Sequence, residues 1–347
     1  MKKGIFAIVV ALASSAEAAG DTVKVGFCAR TITSAAAPFA IATKMGWYGP
    51  GMKIQLVPVP GSTDCVKLVA TGDLPYSLPS IEPLPAARAQ GVKAKIFYTA
   101  YQGNIYGIAV AKDGPIRAIK DLKGKKIGVA SMGSGGVHVA RGVLAMTGLD
   151  PDKDALIVVA GEAAQAGALL RAGEVAALSM YDTQYALIEA AGVPVRFLDT
   201  GPLSRFPSNG FLALEETLRK DRAQAVALGK GYAMGTIFAM ANPQAAVKIL
   251  YEVYPQTRPS GKSEEIALRD DVKTLLARAG HWRLEAGGVK RWGESSIKDF
   301  DAYLDFLLKW NVVKDKVPAT EMVTNDLLDD VNRFDVARIE AQAKAYK

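Results

Sequence analysis

The sequence predicts an α/β fold with two lobes around a central cleft and a helical C-terminal segment. Three observations lead to this prediction. Short apolar strands alternate with helical segments from Thr22 to about Leu198, and this pattern restarts after IYGIAVAK. The chain beyond Gly210 has one more strand followed only by helical patterns. Strands joined by helices are typical of parallel-rich sheets with helices on both faces.

The first nineteen residues predict a cleavable signal peptide. Lys2 and Lys3 precede an apolar run, and Ala16-Glu17-Ala18 supplies the small residues of a cleavage site. The run is too short to span a membrane as a permanent helix, and no cysteine follows it at the position where a lipoprotein is anchored. We therefore expect an exported protein located in the periplasm.

The first lobe is predicted to begin directly after this signal. Its strands are predicted at TVKVGF, MKIQLVPV, YSL and AKIFYTAY, and its helices at APFAIATKMGW, TDCVKLVATG and EPLPAARAQG. The second lobe repeats the plan, with strands at IYGIAVAK, KKIGVA, ALIVVAG, VAALSM and VRFLD and helices at GVHVARGVLAMTG, AAQAGALLRAG and TQYALIEAAG.

Corresponding residues of the two lobes lie at a nearly constant distance along the chain. Gly26 corresponds to Gly128, Gly61 to Gly161, Gly72-Asp73 to Gly173-Glu174, and Ser77-Leu78 to Ser179-Met180, with offsets of 102, 100, 101 and 102 residues. Four matches in register indicate two lobes built on one plan.

The chain is predicted to return to the first lobe through the strand NGFLALEE. Helices should follow at Glu216–Ala241, Pro243–Tyr254, Ser263–Ala279, Val289–Trp310 and in a tail from Pro318, and they should buttress the first lobe. The predicted domains are a signal peptide at 1–19, a first lobe at 20–106 plus 211–347, and a second lobe at 107–210. TAYQGNIYGIAVAK and FPSNGFLALEE would form the two hinge crossings.

The two cysteines allow two interpretations. Cys28 ends the first strand and Cys65 opens the helix after the second strand, so a disulfide is possible in an exported protein. The alternative is two separate, small, buried side chains. No metal site is predicted, because His138 and His281 are the only histidines and neither has ligand spacing with a cysteine.

Composition and motifs argue against several classes of function. The formal net charge is +7, but the basic residues lie scattered beside acidic ones, which does not indicate nucleic-acid binding. No Ser-His-Asp order, G-x-S-x-G elbow, H-E-x-x-H motif or cofactor signature is present. We expect a protein that is not an enzyme and that uses no cofactor.

The glycine-rich stretch GVASMGSGGVHVAR leads from a strand into a helix, as in many phosphate sites. Its spacing excludes a nucleotide loop, because His138 stands where a dinucleotide fingerprint starting at Gly133 needs its third glycine, and no lysine follows Gly133. We expect free amides, Ser131 and Ser134 to face the cleft at this helix start.

An ordered set of segments resembles the substrate-binding proteins of ABC importers, of the nitrate, sulfonate and taurine type that includes thiamine-pyrimidine precursor binders. The segments are APFAIATKMGWY, GSTDCVKLVATGDLPYSL, IKDLKGKKIGVASMGSGG, GLDPDKDALIVVAG and ALLRAGEVAALSMYDTQYAL. The resemblance covers about Val23 to Leu214. It implies the periplasmic-binding-protein type II fold, capture of a small-molecule solute in the cleft and delivery to an inner-membrane ABC permease. We expect a monomer.

The resemblance also implies ligand positions at strand ends. They are Arg30, Thr31, Ser34, Ser62, Thr63, Pro79, Ser80, Ile81, Tyr101, Gln102 and Asn104 in the first lobe, and Ser131, Met132, Ser134, Gly135, Glu162, Gln165, Tyr181 and Asp182 in the second. The chain departs from the family pattern at CART, and at MYDTQY, where members often carry a Trp-Glu-Pro type triplet.

Each of these candidates has a plainer alternative. Arg30 either contacts an anion or is solvated, Tyr101 and Tyr181 either stack on a planar ligand or pack at the hinge, and Asp182 either bonds a ligand amine or caps a helix. We expect an organic ligand with an anionic or carbonyl group, because Tyr106 and the other two tyrosines accompany Arg30. The functional alternatives are a periplasmic sensor or adaptor and a pyrimidine-synthase-like enzyme.

Overall fold

A computed structural model describes residues 22–346 as two five-stranded sheets flanked by helices. The signal peptide predicted for residues 1–19 lies outside the described residues. No helix within the described range combines the length and the apolar character needed to cross a membrane.

The first sheet has the strand order β2-β1-β3-β10-β4. Its strands are β1 (Thr22–Phe27), β2 (Lys53–Pro58), β3 (Tyr76–Ser77), β4 (Ala94–Thr99) and β10 (Gly210–Leu214). Strand β1 pairs in parallel with β2 and β3, whereas β10 runs antiparallel to both of its neighbours.

The second sheet has the order β7-β6-β8-β5-β9. Its strands are β5 (Tyr106–Ala111), β6 (Lys125–Val129), β7 (Ala155–Val159), β8 (Ala177–Tyr181) and β9 (Val195–Phe197). Strand β6 is parallel to β7 and β8, and β5 is antiparallel to β8 and β9. In each sheet the fourth strand in this order, β10 in the first and β5 in the second, is antiparallel to its neighbours. Each of these strands comes directly after the chain crosses over from the other sheet.

The glycine repeat has a packing reason in this topology. A Cβ at Gly26 in β1 would lie 2.9 Å from the Cβ of Ser77, and one at Gly128 in β6 would lie 2.7 Å from the Cβ of Ala160. Contacts this short do not occur between real Cβ atoms, so equivalent strands of the two sheets both require glycine at these points.

Helices connect the strands within each half. They are α1 (Ala37–Lys44), α2 (Ser62–Ala70) and α3 (Leu84–Ala89) in the first half, and α4 (Gly135–Met146), α5 (Ala163–Arg171) and α6 (Asp182–Ala190) in the second.

The C-terminal segment is helical, as predicted, but two of its boundaries differ from the prediction. Its helices are α7 (Glu215–Lys220), α8 (Arg222–Ala241), α9 (Pro243–Val253), α10 (Glu264–Trp282), α11 (Ile297–Lys309), α12 (Ala319–Met322), α13 (Leu328–Val331) and α14 (Val336–Ala345). The helix predicted at Glu216–Ala241 is two helices that meet at Asp221.

The helix predicted from Val289 begins only at Ile297, where Ser296 accepts a hydrogen bond from the Asp299 amide. The preceding segment instead runs beside the first sheet. Gly288 and Gly293 have left-handed φ angles of 60° and 83°, and the Gly293 carbonyl accepts a 2.8 Å bond from the Thr99 amide. These left-handed angles are incompatible with a continuous helix.

The C-terminal helices pack mainly on the first half, where α8 contacts α1 and α14. Phe39 of α1, Phe211 of β10 and Tyr232 of α8 form part of the core there, with ring centroids 4.9–5.7 Å apart. Helix α10 differs, because it also contacts α6 of the second half. The C-terminal segment therefore does more than buttress one lobe.

Cys28 and Cys65 are joined in a disulfide, with Sγ atoms 1.98 Å apart and Cα atoms 6.0 Å apart. The bond links the end of β1 to the first turn of α2. It holds the loop that follows β1 against the helix that follows β2, at the edge of the sheet where the carboxyl ends of parallel strands meet.

Candidate functional site

A small cavity of about 30 Å³ lies between the two halves. Its lining comes from the residues after β1, from both crossings, from the end of β8 and the start of α6, and from α10. The aromatic lining residues are Phe27, Tyr101, Tyr106 and Tyr181, and the hydrogen-bonding ones include Thr33, Thr183, Asn209 and Arg278. In α/β sheets, ligands bind beyond the carboxyl ends of the strands, where this cavity lies.

Arg278, which lines the cavity, belongs to a buried ion pair. The Nε of Arg278 donates to the Oδ2 of Asp182 at 2.7 Å, and its Nη2 donates to Oδ1 at 2.6 Å. The guanidinium also lies 4.2 Å above the ring of Tyr101. Burial alone would lower the pKa of Arg278, but the Asp182 carboxylate outweighs it and the net effect raises that pKa. Arg278 is therefore charged and paired.

Asp182 is the first residue of α6. Its own amide donates to the Ile105 carbonyl at 2.9 Å, and its Oδ1 accepts a 2.6 Å bond from the Thr183 amide. The Nε2 of His281 lies 3.8 Å from its Oδ2. Burial lowers the pKa of His281, an effect that the Asp182 carboxylate opposes and Arg278 reinforces. Asp182 thus joins helix α6 to α10.

Tyr106 and Tyr181 also line the cavity. The rings of Tyr106 and Tyr181 meet edge to face with centroids 6.0 Å apart, and burial raises the pKa of both hydroxyls. The Tyr181 hydroxyl donates to the Oε1 of Glu162 at 3.3 Å and accepts from the Nε2 of Gln184 at 3.1 Å. Beside them, the hydroxyl of Thr183 is buried without a hydrogen-bond partner among the described residues.

Glu162 also forms hydrogen bonds between the two halves. It follows β7, and its carboxylate accepts a 3.2 Å bond from the Arg30 amide and a 2.8 Å bond from the Thr31 hydroxyl, both on the loop after β1. The Arg30 side chain is exposed and does not line the cavity.

The glycine-rich stretch makes a second contact between the halves. The Gly133 carbonyl accepts a 3.1 Å bond from the Thr63 amide, and the Ser131 hydroxyl donates to the Pro60 carbonyl. A Cβ at Gly61 would lie 2.4 Å from the Gly133 carbonyl oxygen. These glycines therefore allow the two halves to approach backbone to backbone.

The serines and Gly135 predicted at strand ends pack under this contact. Ser134 caps α4 by accepting from the Gly136 amide at 3.2 Å. The Ser62 hydroxyl accepts from the Ser80 amide at 3.0 Å, and a Cβ at Gly135 would lie 2.8 Å from the Ser80 hydroxyl. Ser34 is buried.

The remaining predicted residues lie at the crossings or on the surface. Gln102 donates to the Glu294 carbonyl at 3.0 Å, and Asn104 donates to the Leu203 carbonyl at 3.1 Å, so both hold the crossings. Met132 and Gln165 are exposed. Of the site residues implied by the resemblance, Tyr101 and Tyr181 line the cavity, and Asp182 bonds the guanidinium of its wall.

Arg278 is the main residue that the sequence analysis missed. A signal for it exists, because Arg278 falls on the buried stripe of α10 together with Leu275 and Trp282. A charged residue on the apolar stripe of an amphipathic helix indicates a buried partner or a ligand.

A family model described as NMT1/THI5 like matches residues 33–246. No curated protein sequence matches the chain significantly.

Solved structures resemble the chain over nearly its whole length. The alkanesulfonate-binding protein SsuA from Xanthomonas axonopodis pv. citri, bound to MOPS, has 19% identity and a TM-score of 0.65, covering 88% of this chain and 99% of that one. The aliphatic sulphonate binding protein SsuA from Escherichia coli has 17% identity and a TM-score of 0.64, with 88% and 98% covered.

The nitrate-binding protein NrtA from Synechocystis PCC 6803 has 15% identity and a TM-score of 0.62, with 94% of this chain and 99% of that one covered. At these identities the likeness shows the fold, and it confirms the predicted two-lobed α/β class of periplasmic binding proteins with a helical C-terminal segment.

Proposed function

Because the chain belongs to the NMT1/THI5-like family, we propose that it is an extracytoplasmic solute-binding protein, not an enzyme. It captures a small molecule between its two halves and delivers it to an ABC permease. The proposal includes export through the predicted signal peptide, a periplasmic location and a monomeric state.

The observation that carries the proposal is the cavity between the two sheets, which is lined by Arg278, whose guanidinium is paired with Asp182. Both halves and α10 contribute to its lining, so a molecule held there contacts every part that a hinge motion would separate. Aromatic walls with a few convergent polar groups are typical of small-molecule sites. The names of the structural neighbours, which refer to binding of sulfonates and nitrate, support the same class of function.

Release of such a molecule requires the halves to separate. The contacts between the halves that separation would affect include those of Glu162 with Arg30 and Thr31, that of Gly133 with Thr63, and the pair of Asp182 with Arg278. The two crossings then act as the hinge, with lobes at 20–106 plus 211–347 and at 107–210. Hinge closure around ligands is common in two-lobed binding proteins.

A thermal-shift screen of the purified protein against sulfonates, carboxylates, amides, nitrate and pyrimidines tests the proposal. A ligand at 100 times its Kd should stabilise the protein by about 2.7 kcal/mol. The same compounds are then given to cells that lack the gene, which should lose uptake of the hit. A screen without any hit, together with no small molecule released when the purified protein is denatured, would contradict solute capture.

A further inference from the structure

We propose that the ion pair of Asp182 with Arg278 makes the cavity selective for small uncharged solutes that carry a carbonyl or similar acceptor. Asp182 is the residue that determines this charge selectivity. The inference rests on the proposed function, since it names the chemical class that the cavity takes.

The first step concerns the charge of Arg278. Two of the five N–H donors of its guanidinium go to the Asp182 carboxylate, whose charge cancels that of Arg278. An anion that approached the guanidinium would also approach the Asp182 carboxylate, which is bonded to that guanidinium at 2.6 and 2.7 Å. Removing an anion from water is costly unless positive charge or several hydrogen-bond donors replace its hydration, and the positive charge of this pair is already cancelled.

The second step concerns other positive charge near the cavity. The Arg30 side chain is exposed, and its loop is bonded to the carboxylate of Glu162. Burial lowers the pKa of His281, so its imidazole is neutral at neutral pH. The first two amides of α6, those of Asp182 and Thr183, already have acceptors. Among the described residues around the cavity, no free positive charge remains.

A cation is disfavoured as well. The face of Tyr101, which could attract a cation, is covered by the guanidinium of Arg278 at 4.2 Å. Glu162 lies behind Tyr181 and is engaged by three donors, those of Tyr181, Arg30 and Thr31. None of the described residues that line the cavity carries a carboxylate, so a cation there would meet a positively charged arginine without an adjacent counter-charge in the lining.

The groups that remain fit a neutral molecule. The guanidinium keeps three N–H donors that do not bond Asp182, and these suit a carbonyl oxygen. The Thr183 hydroxyl, 0% exposed and without a partner among the described residues, can donate or accept. Tyr106 and Tyr181 provide flat walls, and the cavity volume of about 30 Å³ favours a small solute.

Pairs of compounds that differ mainly in charge test this inference by calorimetric titration. The pairs are formate with formamide, acetate with acetamide, and methanesulfonate with methanesulfonamide. Wild type should bind the neutral member of at least one pair about tenfold or more tightly than the acid, because only the acid must bury an unpaired charge. Asp182→Asn should reverse the order, because it leaves the charge of Arg278 uncompensated.

Asp152→Asn is the matched control. Asp152 also accepts two hydrogen bonds from one arginine, from Nη1 and Nη2 of Arg141 at 2.8 and 3.0 Å, and it does not line the cavity. This variant should keep the wild-type preference.

A second measurement does not depend on the ligand. Sodium nitrate should raise the thermal midpoint of Asp182→Asn more than those of wild type and Asp152→Asn, and Arg278→Met added to Asp182→Asn should abolish the gain. If Asp182→Asn gains no response to nitrate, the inference is wrong. A wild type that prefers the acids or methylammonium would also overturn it, yet would support solute capture, so the two failures are distinguishable.

Discussion

Arg278 and Asp182 form a doubly hydrogen-bonded ion pair whose side chains are only 4% and 9% exposed. The pair ties α10 to the start of α6 and so connects the C-terminal segment to the second sheet. Arg141 and Asp152 also form two hydrogen bonds, with side chains 30% and 67% exposed. Residues 22–346 therefore include a buried and an exposed arginine–aspartate pair, each with two hydrogen bonds.

Breaking the buried pair should destabilise the protein strongly. Arg278→Met leaves the Asp182 carboxylate buried without its cation, and we expect a loss of about 3–5 kcal/mol in the free energy of unfolding. Arg141→Met should cost much less, because water solvates the released carboxylate. Urea denaturation of both variants measures the difference. Equal losses would show that burial of the first pair has no energetic consequence.

Gly61 should control closure of the two halves. A Cβ there would collide with the Gly133 carbonyl, so Gly61→Ala should favour separated halves and increase the radius of gyration in X-ray scattering. If the population of the closed conformation falls to a tenth, the apparent affinity for a ligand that binds only this conformation falls about tenfold.

Gly72→Ala is the control for backbone strain in this experiment. Gly72 has a left-handed φ of 79° with open space around it, so alanine strains the chain there without touching the other half. A Gly61→Ala protein as compact as wild type would contradict the role assigned to this contact.

The disulfide should contribute substantially to stability. Cys28 and Cys65 are 37 residues apart, and a cross-link closing such a loop contributes about 3–4 kcal/mol in the chain-entropy model. The double variant Cys28→Ser/Cys65→Ser should lose this amount in urea denaturation. Wild type treated with a reductant should show a similar loss, whereas the reductant should leave the double variant unchanged. If the reductant also destabilises the double variant, its effect on wild type does not come from breaking this disulfide.

Stability should fall on mild acidification because of His138. Burial lowers its pKa below the usual value of about 6.5, an effect that Glu82 opposes and Arg141 reinforces. Below pH 6.5 the unfolded chain therefore binds a proton that the folded chain does not. The contribution is fully present above about pH 6.5 and falls as the pH drops toward the folded pKa, by at most about 1.4 kcal/mol per pH unit.

His138→Gln should flatten this pH dependence. His281 also has a lowered pKa, so some slope should remain in that variant and disappear only when both histidines are replaced. Denaturation midpoints between pH 7.5 and 5.5 measure the slopes. An unchanged slope in His138→Gln would mean that His138 titrates alike in the folded and unfolded chains.

Much of the fold could be predicted from local pattern. Strand β1 and helix α4 follow from apolar runs and glycine turns, and the repeated glycines reflect the same close packing in both sheets. The start of α11 could not be predicted, because Val289 and its neighbours have helical composition while the backbone at Gly288 and Gly293 follows the edge of the first sheet. The backbone conformation at these two glycines is set by tertiary contact with the first sheet.

The candidate site was predictable in part. Parallel strands bring their carboxyl ends together, which places Tyr101 and Tyr181 at the cavity. Arg278 belongs to a helix far along the chain, and its pairing with Asp182 depends on how α10 packs against α6. Arg30 suggested an anion contact by its position after a strand, but its side chain points into solvent.

Calorimetric titration of the best hit from the screen into wild type, Arg278→Met and Arg141→Met tests the central claim most directly. One solute should bind per chain of wild type and of Arg141→Met with equal affinity. Arg278→Met should bind at least about tenfold more weakly, because it loses a charged hydrogen-bond donor in the cavity wall. Equal affinity of all three proteins would show that the solute does not bind in the cavity between the two halves.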